Sequence, residues 1–226
     1  MTPIMSFAQM FSVESDRGQN ILPTSTVFLG LEPVDFFYRG SDKPEGTLSF
    51  NEPIYRLRAE LPGLNVSFGY NNRVGDSDSL SYFNVSVGIH GRYGLLSRRS
   101  FTLGIPIQLR TDFTQTALRF NDPIRDDFQQ SSALLGAGLN TMFTINNQIR
   151  IDISGMPQYG FSVTSFGGTG GSMWVFEGRA RLYFDNLFDN LGLAIGYDWR
   201  STRYNLQDDR FDYQIDAHSF LIGVSF

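Results

Sequence analysis

One pattern governs most of this sequence. From Thr24 to the C-terminus, large apolar side chains recur at every second position, with small or charged ones between them. Leu64, Val66, Phe68 and Tyr70 alternate with Asn65, Ser67 and Gly69. Leu191, Leu193, Ile195, Tyr197 and Trp199 alternate with Gly192, Ala194, Gly196, Asp198 and Arg200. A period of two is the signature of a β-strand, whose successive side chains point to opposite faces. The alternating segments run well beyond the roughly five or six residues of an ordinary soluble strand. No stretch carries the period of an amphipathic helix.

The two faces differ in kind. One is apolar and rich in rings, in a chain that is 15% aromatic with 21 Phe and 10 Tyr. The other holds Gly, Ser and charges of both signs. A soluble sandwich turns its charges to water and uses short strands. A sheet with an apolar outside and a polar inside suits lipid, where it must close on itself to leave no unpaired edge. The connections fit this reading. Pro62-Gly63, Ser97–Ser100, the hairpin pair Asn146-Asn147 and Asp185–Asn190 are short. Arg39–Gly46, Asn71–Ser79, Arg119–Phe128, Gly167–Gly171 and Tyr204–Phe211 are longer and polar. Short turns at one end and long loops at the other describe a transmembrane barrel.

Composition excludes several alternatives. With no cysteine, the chain has neither disulfides nor thiolate metal sites. No run approaches the roughly 18 apolar residues of a membrane helix. The mean hydropathy of −0.18 is compatible with a barrel, because only alternate residues meet lipid. The net charge of −5 argues against a nucleic-acid surface. Of the 18 basic residues only Lys43 is lysine, and arginine's planar fork suits enclosed carboxylate pairs.

The last strand carries a family likeness. Phe220, Ile222, Val224 and Phe226 alternate with Leu221, Gly223 and Ser225 up to the final aromatic residue. This resembles the C-terminal signal strand of bacterial outer-membrane β-barrels. The resemblance implies an all-β, closed antiparallel transmembrane barrel in the bacterial outer membrane. It implies as partners outer-membrane lipid and lipopolysaccharide, and the barrel-assembly machinery that reads the signal. Ser6-Phe7-Ala8 before Gln9 resembles a signal-peptide cleavage site. Residues 1–8 are therefore expected to be a signal remnant, 9–23 an N-terminal periplasmic segment and 24–226 the barrel.

Ten strands are expected, with Val27–Tyr38 opening the barrel and Leu48–Leu61 and Leu64–Asn72 as separate strands. Eight would result if Pro53–Asn72 were one bulged strand, but that leaves a long structureless segment before it. Pro53, Pro106 and Pro157 are expected to mark bulges. Leu48 and Phe50 sit on the apolar face before Pro53, and Tyr55, Leu57, Ala59 and Leu61 after it.

Parity places Arg56, Arg58, Glu60, His90, Arg92, Arg110, Asp112, Arg150, Asp152, Glu177, Arg179, Arg181, Asp198 and Arg200 inside, as a charge network across the lumen. Enclosed charges must pair. The bases outnumber the acids in this set, so a narrow anion or solute pore is the rival to a closed structural or surface barrel of the OmpA-like kind. Enzymes are the other class. Asp76-Ser77-Asp78 and Asp216-Ala217-His218 resemble the paired elements of omptin proteases, but His218 shares the outward parity of Phe220 and Ile222. Lipid A acylases and deacylases need a His with a Ser partner, and His218 and Ser219 point to opposite faces. The loop acids Asp122, Asp126, Asp127, Asp208 and Asp209 read as a solvated face. Gly167–Gly171 leads into no helix and so is not a phosphate cradle. No catalytic residue, cofactor or metal is expected.

Overall fold

The computed structural model describes residues 25–38, 50–71, 80–118, 128–146, 148–164, 170–188, 191–205 and 212–226. These form β1 (Thr26–Tyr38), β2 (Phe50–Leu61), β3 (Leu64–Asn71), β4 (Leu80–Arg98), β5 (Phe101–Leu118), β6 (Phe128–Ala137), β7 (Leu139–Thr144), β8 (Ile149–Thr164), β9 (Gly170–Phe188), β10 (Leu191–Asn205) and β11 (Tyr213–Ser225). All belong to one antiparallel sheet, in which consecutive strands pair except β6 and β7, which both pair with β5 and β8. The sheet closes because β1 also pairs with β11, from Thr26 opposite Ser225 to Tyr38 opposite Tyr213.

β6 and β7 are consecutive pieces of a single wall strand, interrupted at Gly138. Both lie between β5 and β8 and keep one register. The eleven segments thus make a barrel of ten strands. Residues 26–38, 50–61 and 64–71 each occupy their own place in the wall, which rules out the eight-strand alternative. The expected signal remnant and periplasmic segment, residues 1–23, lie outside the described residues.

The alternation of the sequence becomes inside and outside. The outer wall carries Leu29, Tyr55, Ile89, Leu109, Leu135, Phe161, Trp174, Ile195 and Ile222, all exposed. Such a continuous apolar surface is what lipid covers. The β2–β3, β4–β5, β7–β8 and β9–β10 turns share one end of the barrel with Ser25 and Phe226. Gly63 makes the first of these turns with a φ of 78°, a conformation open to glycine.

The prolines depart from expectation. The register runs unshifted through Pro53, Pro106 and Pro157, and bulges occur instead at Gly94/Leu96 and Leu191/Leu193. Proline needs only that its missing N–H fall where the ladder can spare it. Pro33 and Pro53 face each other directly across β1 and β2. Without a bulge at Pro53 the faces do not switch, so Phe50 points inward and is 3% exposed. β9 also continues through Asp185 to Phe188, where a turn was expected from Asp185.

Candidate functional site

The lumen holds the chemistry, in two layers. The first is a network of charges: among the described residues, Arg56, Arg58, Glu60, Arg110, Asp112, Arg150, Glu177, Arg179, Arg181, Asp198 and Arg200 join ion pairs, whereas His90, Arg92 and Asp152 join none. Glu177 on β9 is its hub. It accepts hydrogen bonds from Arg179 Nε (2.7 Å), Arg110 Nη1 (2.9 Å) and Gln158 Nε2 (3.0 Å), and Arg58 Nη2 reaches it at 3.3 Å. Arg58 also pairs with Asp198 and, at 3.2 Å, with Glu60. Arg181 bridges Asp198 (2.6 Å) and Glu60 (2.7 Å). Arg110 donates to Asp112 at 2.7 Å. Two-pronged guanidinium contacts of this sort fix orientation as well as charge.

A second cluster centres on Glu32. Arg56 holds it with two nitrogens, one of them at 2.8 Å; Arg200 approaches at 3.4 Å, and Ser219 Oγ donates from β11. The remaining Arg56 nitrogen donates to Asn84 Oδ1 at 2.7 Å. Gly69 makes room for it, since a Cβ there would stand 2.8 Å from the guanidinium carbon. Toward the terminal end, Arg150 grips Asp185 at 2.5 and 2.8 Å. Asp152 accepts from Asn140 at 2.8 Å. Arg92 sits at the mouth, exposed, and donates to Thr102 at 2.6 Å.

The second layer is apolar and was not expected. Val34, Phe36, Phe50, Ile54, Tyr82, Leu134, Met173, Val175, Tyr204, Tyr213, Ile215 and Ala217 form one buried cluster inside the barrel. They occupy strand portions away from Ser25 and Phe226, toward the long connections. Their rings stack: Phe50 on Tyr82 at 5.2 Å, Tyr204 on Tyr213 at 4.8 Å, with Phe36 at 5.9 Å from Tyr213. A smaller patch of Phe28, Ala194 and Leu221 lies on the terminal side, with the Arg181 guanidinium 4.9 Å above the Phe28 ring.

Glu32 and Asp185 escaped the sequence reading. Glu32 was hidden because Pro33 interrupts the pattern on which parity depends, and Asp185 because it was placed in a turn. The inward rings of Phe50 and Tyr204 were assigned to the outer face and to a loop respectively.

The residues considered for catalysis are dispersed. His218 is on the outer wall, where Tyr197 OH and its Nδ1 lie 2.8 Å apart. Asp216 is also outward, opposite Asp35 and bonded by Gln214 at 2.5 Å. Asp76, Asp78, Asp122, Asp126, Asp127, Asp208, Asp209 and most of Gly167–Gly171 lie outside the described residues. Among the described residues no group of three or more His, Asp and Glu side chains converges as metal ligands would. Phe220, Ile222, Val224 and Phe226 point outward from the closing strand.

No protein-family model matches the chain, and no curated protein matches it in sequence. Solved structures do match. The outer-membrane protease OmpT of Escherichia coli superimposes with a TM-score of 0.50 at 7% identity, covering 90% of this chain and 96% of that one. The translocator domain of the autotransporter NalP from Neisseria meningitidis gives 0.40 at 9% identity, over 92% and 89%. Ail, the attachment invasion locus protein of Yersinia pestis, gives 0.33 at 14%, over 90% and 99%. All three are bacterial outer-membrane β-barrels. At 7% identity the OmpT superposition concerns the fold alone: a closed barrel of the outer-membrane type.

Proposed function

We propose that this chain is an integral outer-membrane protein whose closed barrel has a structural or surface role, without catalysis, in the manner of small OmpA-like barrels. The observation that carries the reading is the buried ring layer of Phe36, Phe50, Tyr82, Tyr204 and Tyr213 across the lumen. Below it arginines and carboxylates interlock across the lumen, through Arg58, Arg110, Arg179, Glu177 and Asp198. Wide aqueous channels belong to barrels of about 16 strands, whereas eight to ten leave space mainly for side chains.

The termini and short turns would face the periplasm, and the long connections the exterior, as the design of such barrels requires. The outward row Phe220, Ile222, Val224 and Phe226 is the surface offered to the barrel-assembly machinery. Lipid and lipopolysaccharide then cover the apolar wall. Single-channel recording in planar bilayers tests the closed lumen. Rare, small openings at most are expected; large, stable, porin-like steps would overturn it.

A further inference from the structure

The outer wall is uneven in charge. Apart from Arg98 at the β4–β5 tip, the outward charges that the described residues place on strands are Asp35, Arg203 and Asp216. All three belong to the adjacent strands β10, β11 and β1. Asp35 stands directly opposite Asp216, and Arg203 opposite Gln214. Arg203 and Asp35 are exposed and join no ion pair among the described residues. The same face carries the exposed Trp199 ring, and His218 with its Nδ1 2.8 Å from the Tyr197 hydroxyl. An ionisable side chain at membrane depth takes a partner and marks a functional surface.

The register fixes the relative heights of these charges. A row of paired residues that leaves β8 at Ile151 passes through Ile195, Ile222 and Leu29 and circles the wall. It returns to β8 at Val163, twelve residues nearer the long connections. Each step of one strand, from β10 to β11 to β1, therefore lifts the row by about one residue. Asp35 is level in register with Asp216, which lies two residues below Gln214, the partner of Arg203. The two steps from β10 to β1 raise Asp35 by about the same amount. Arg203 and Asp35 thus come to nearly one height on the wall, on either side of β11.

We infer that the β10–β11–β1 face pairs with a second copy of this chain, an inference that rests on the outer-membrane reading above. Copies inserted in the same direction are related by a two-fold axis along the membrane normal, which preserves height. Such an axis sets Arg203 of one copy against Asp35 of the other, and Asp35 against Arg203 in return. The face is then complementary to itself, which a two-fold interface requires. An anionic lipid headgroup suits it less, since Asp35 and Asp216 together outnumber the one guanidinium. Beside Trp199 the wall is also low: Gly155 and Gly178 are directly opposed, and a Cβ on Gly155 would meet nothing within 4 Å. Small residues of this kind let two membrane surfaces approach closely.

The test is the association state of the full chain in detergent, measured by analytical ultracentrifugation with and without added lipopolysaccharide. A reversible dimer is expected in both. Arg203→Asp and Asp35→Arg should each weaken it by roughly tenfold or more, because two symmetric contacts turn from attraction to repulsion. The double variant Arg203→Asp/Asp35→Arg should restore it, a recovery that no folding defect produces. The fold of each variant is checked by its heat-modifiable mobility. A wild-type monomer, a dimer indifferent to both single variants, or a double variant as weak as the singles would overturn the pairing. A dimer that forms only with lipopolysaccharide would overturn it too, by giving the face to lipid. A monomer soluble without detergent would instead remove the outer-membrane reading itself.

Discussion

Arg58 and Glu177 meet across the lumen at 3.3 Å although 119 positions separate them in the chain. Neither strand is a neighbour of the other in the sheet; the contact crosses the bore. Glu177 answers three arginines, so its loss strands several enclosed charges at once. Removing one partner of a buried pair typically costs about 3–5 kcal/mol. Glu177→Ala should therefore lower stability by that amount in urea unfolding from lipid vesicles. Asp185→Asn, at the rim, should cost about 1–2 kcal/mol. Equal effects from the two variants would contradict the hub.

The two lumen layers should act in series. Tyr213→Ala alone opens the ring layer but leaves the charges locked, and Glu177→Gln alone does the reverse. Only the double variant should give clear single-channel steps in planar bilayers. A single variant conducting as well as the double one would show that one layer alone seals the barrel.

Parity made most of this legible. It sorted Arg56, Arg58, Arg110, Glu177, Arg179 and Arg181 to the inside and Tyr55, Leu193 and Ile195 to the outside, because a strand's period of two is exact. It failed where the period was taken to slip. Treating Pro53 as a bulge turned Phe50 outward, and reading Tyr204 as loop removed it from the bore. With these rings misplaced, the apolar layer could not be seen. No sequence pattern tells which inward positions on different strands come to one height, since that depends on the stagger of the closed sheet.

The outer wall predicts behaviour in solution. The protein should need detergent and run as a compact, heat-modifiable band on unboiled gels. Ile195→Arg, in the middle of the exposed apolar row of β10, should destabilise it in bilayers by about 2–4 kcal/mol. A monomer soluble in plain buffer is incompatible with this surface.

The closing residue separates two contributions. Phe226 exchanges backbone bonds with Ser25, at 2.9 and 3.1 Å, and presents its ring outward. Deleting Phe226 should impair assembly far more than deleting residues 168–170. Phe226→Ala keeps the backbone bonds, so a comparable defect in it assigns the effect to the ring. Normal outer-membrane levels after the deletion would rule out a role for this residue in assembly.

The pairing of β1 with β11 has a kinetic consequence. Thr26 and Ser225 must find each other across nearly the whole described chain, so the wall is joined by its most sequence-distant contact. Until that happens the sheet is an open ribbon with two unsatisfied edges, each a template for pairing with another chain. Contacts of such separation form slowly, because chain entropy is lost before they reward it. The nascent barrel should therefore be most vulnerable to aggregation late in folding, and a chaperone that masks β1 or β11 should raise its yield more than one that masks an interior hairpin.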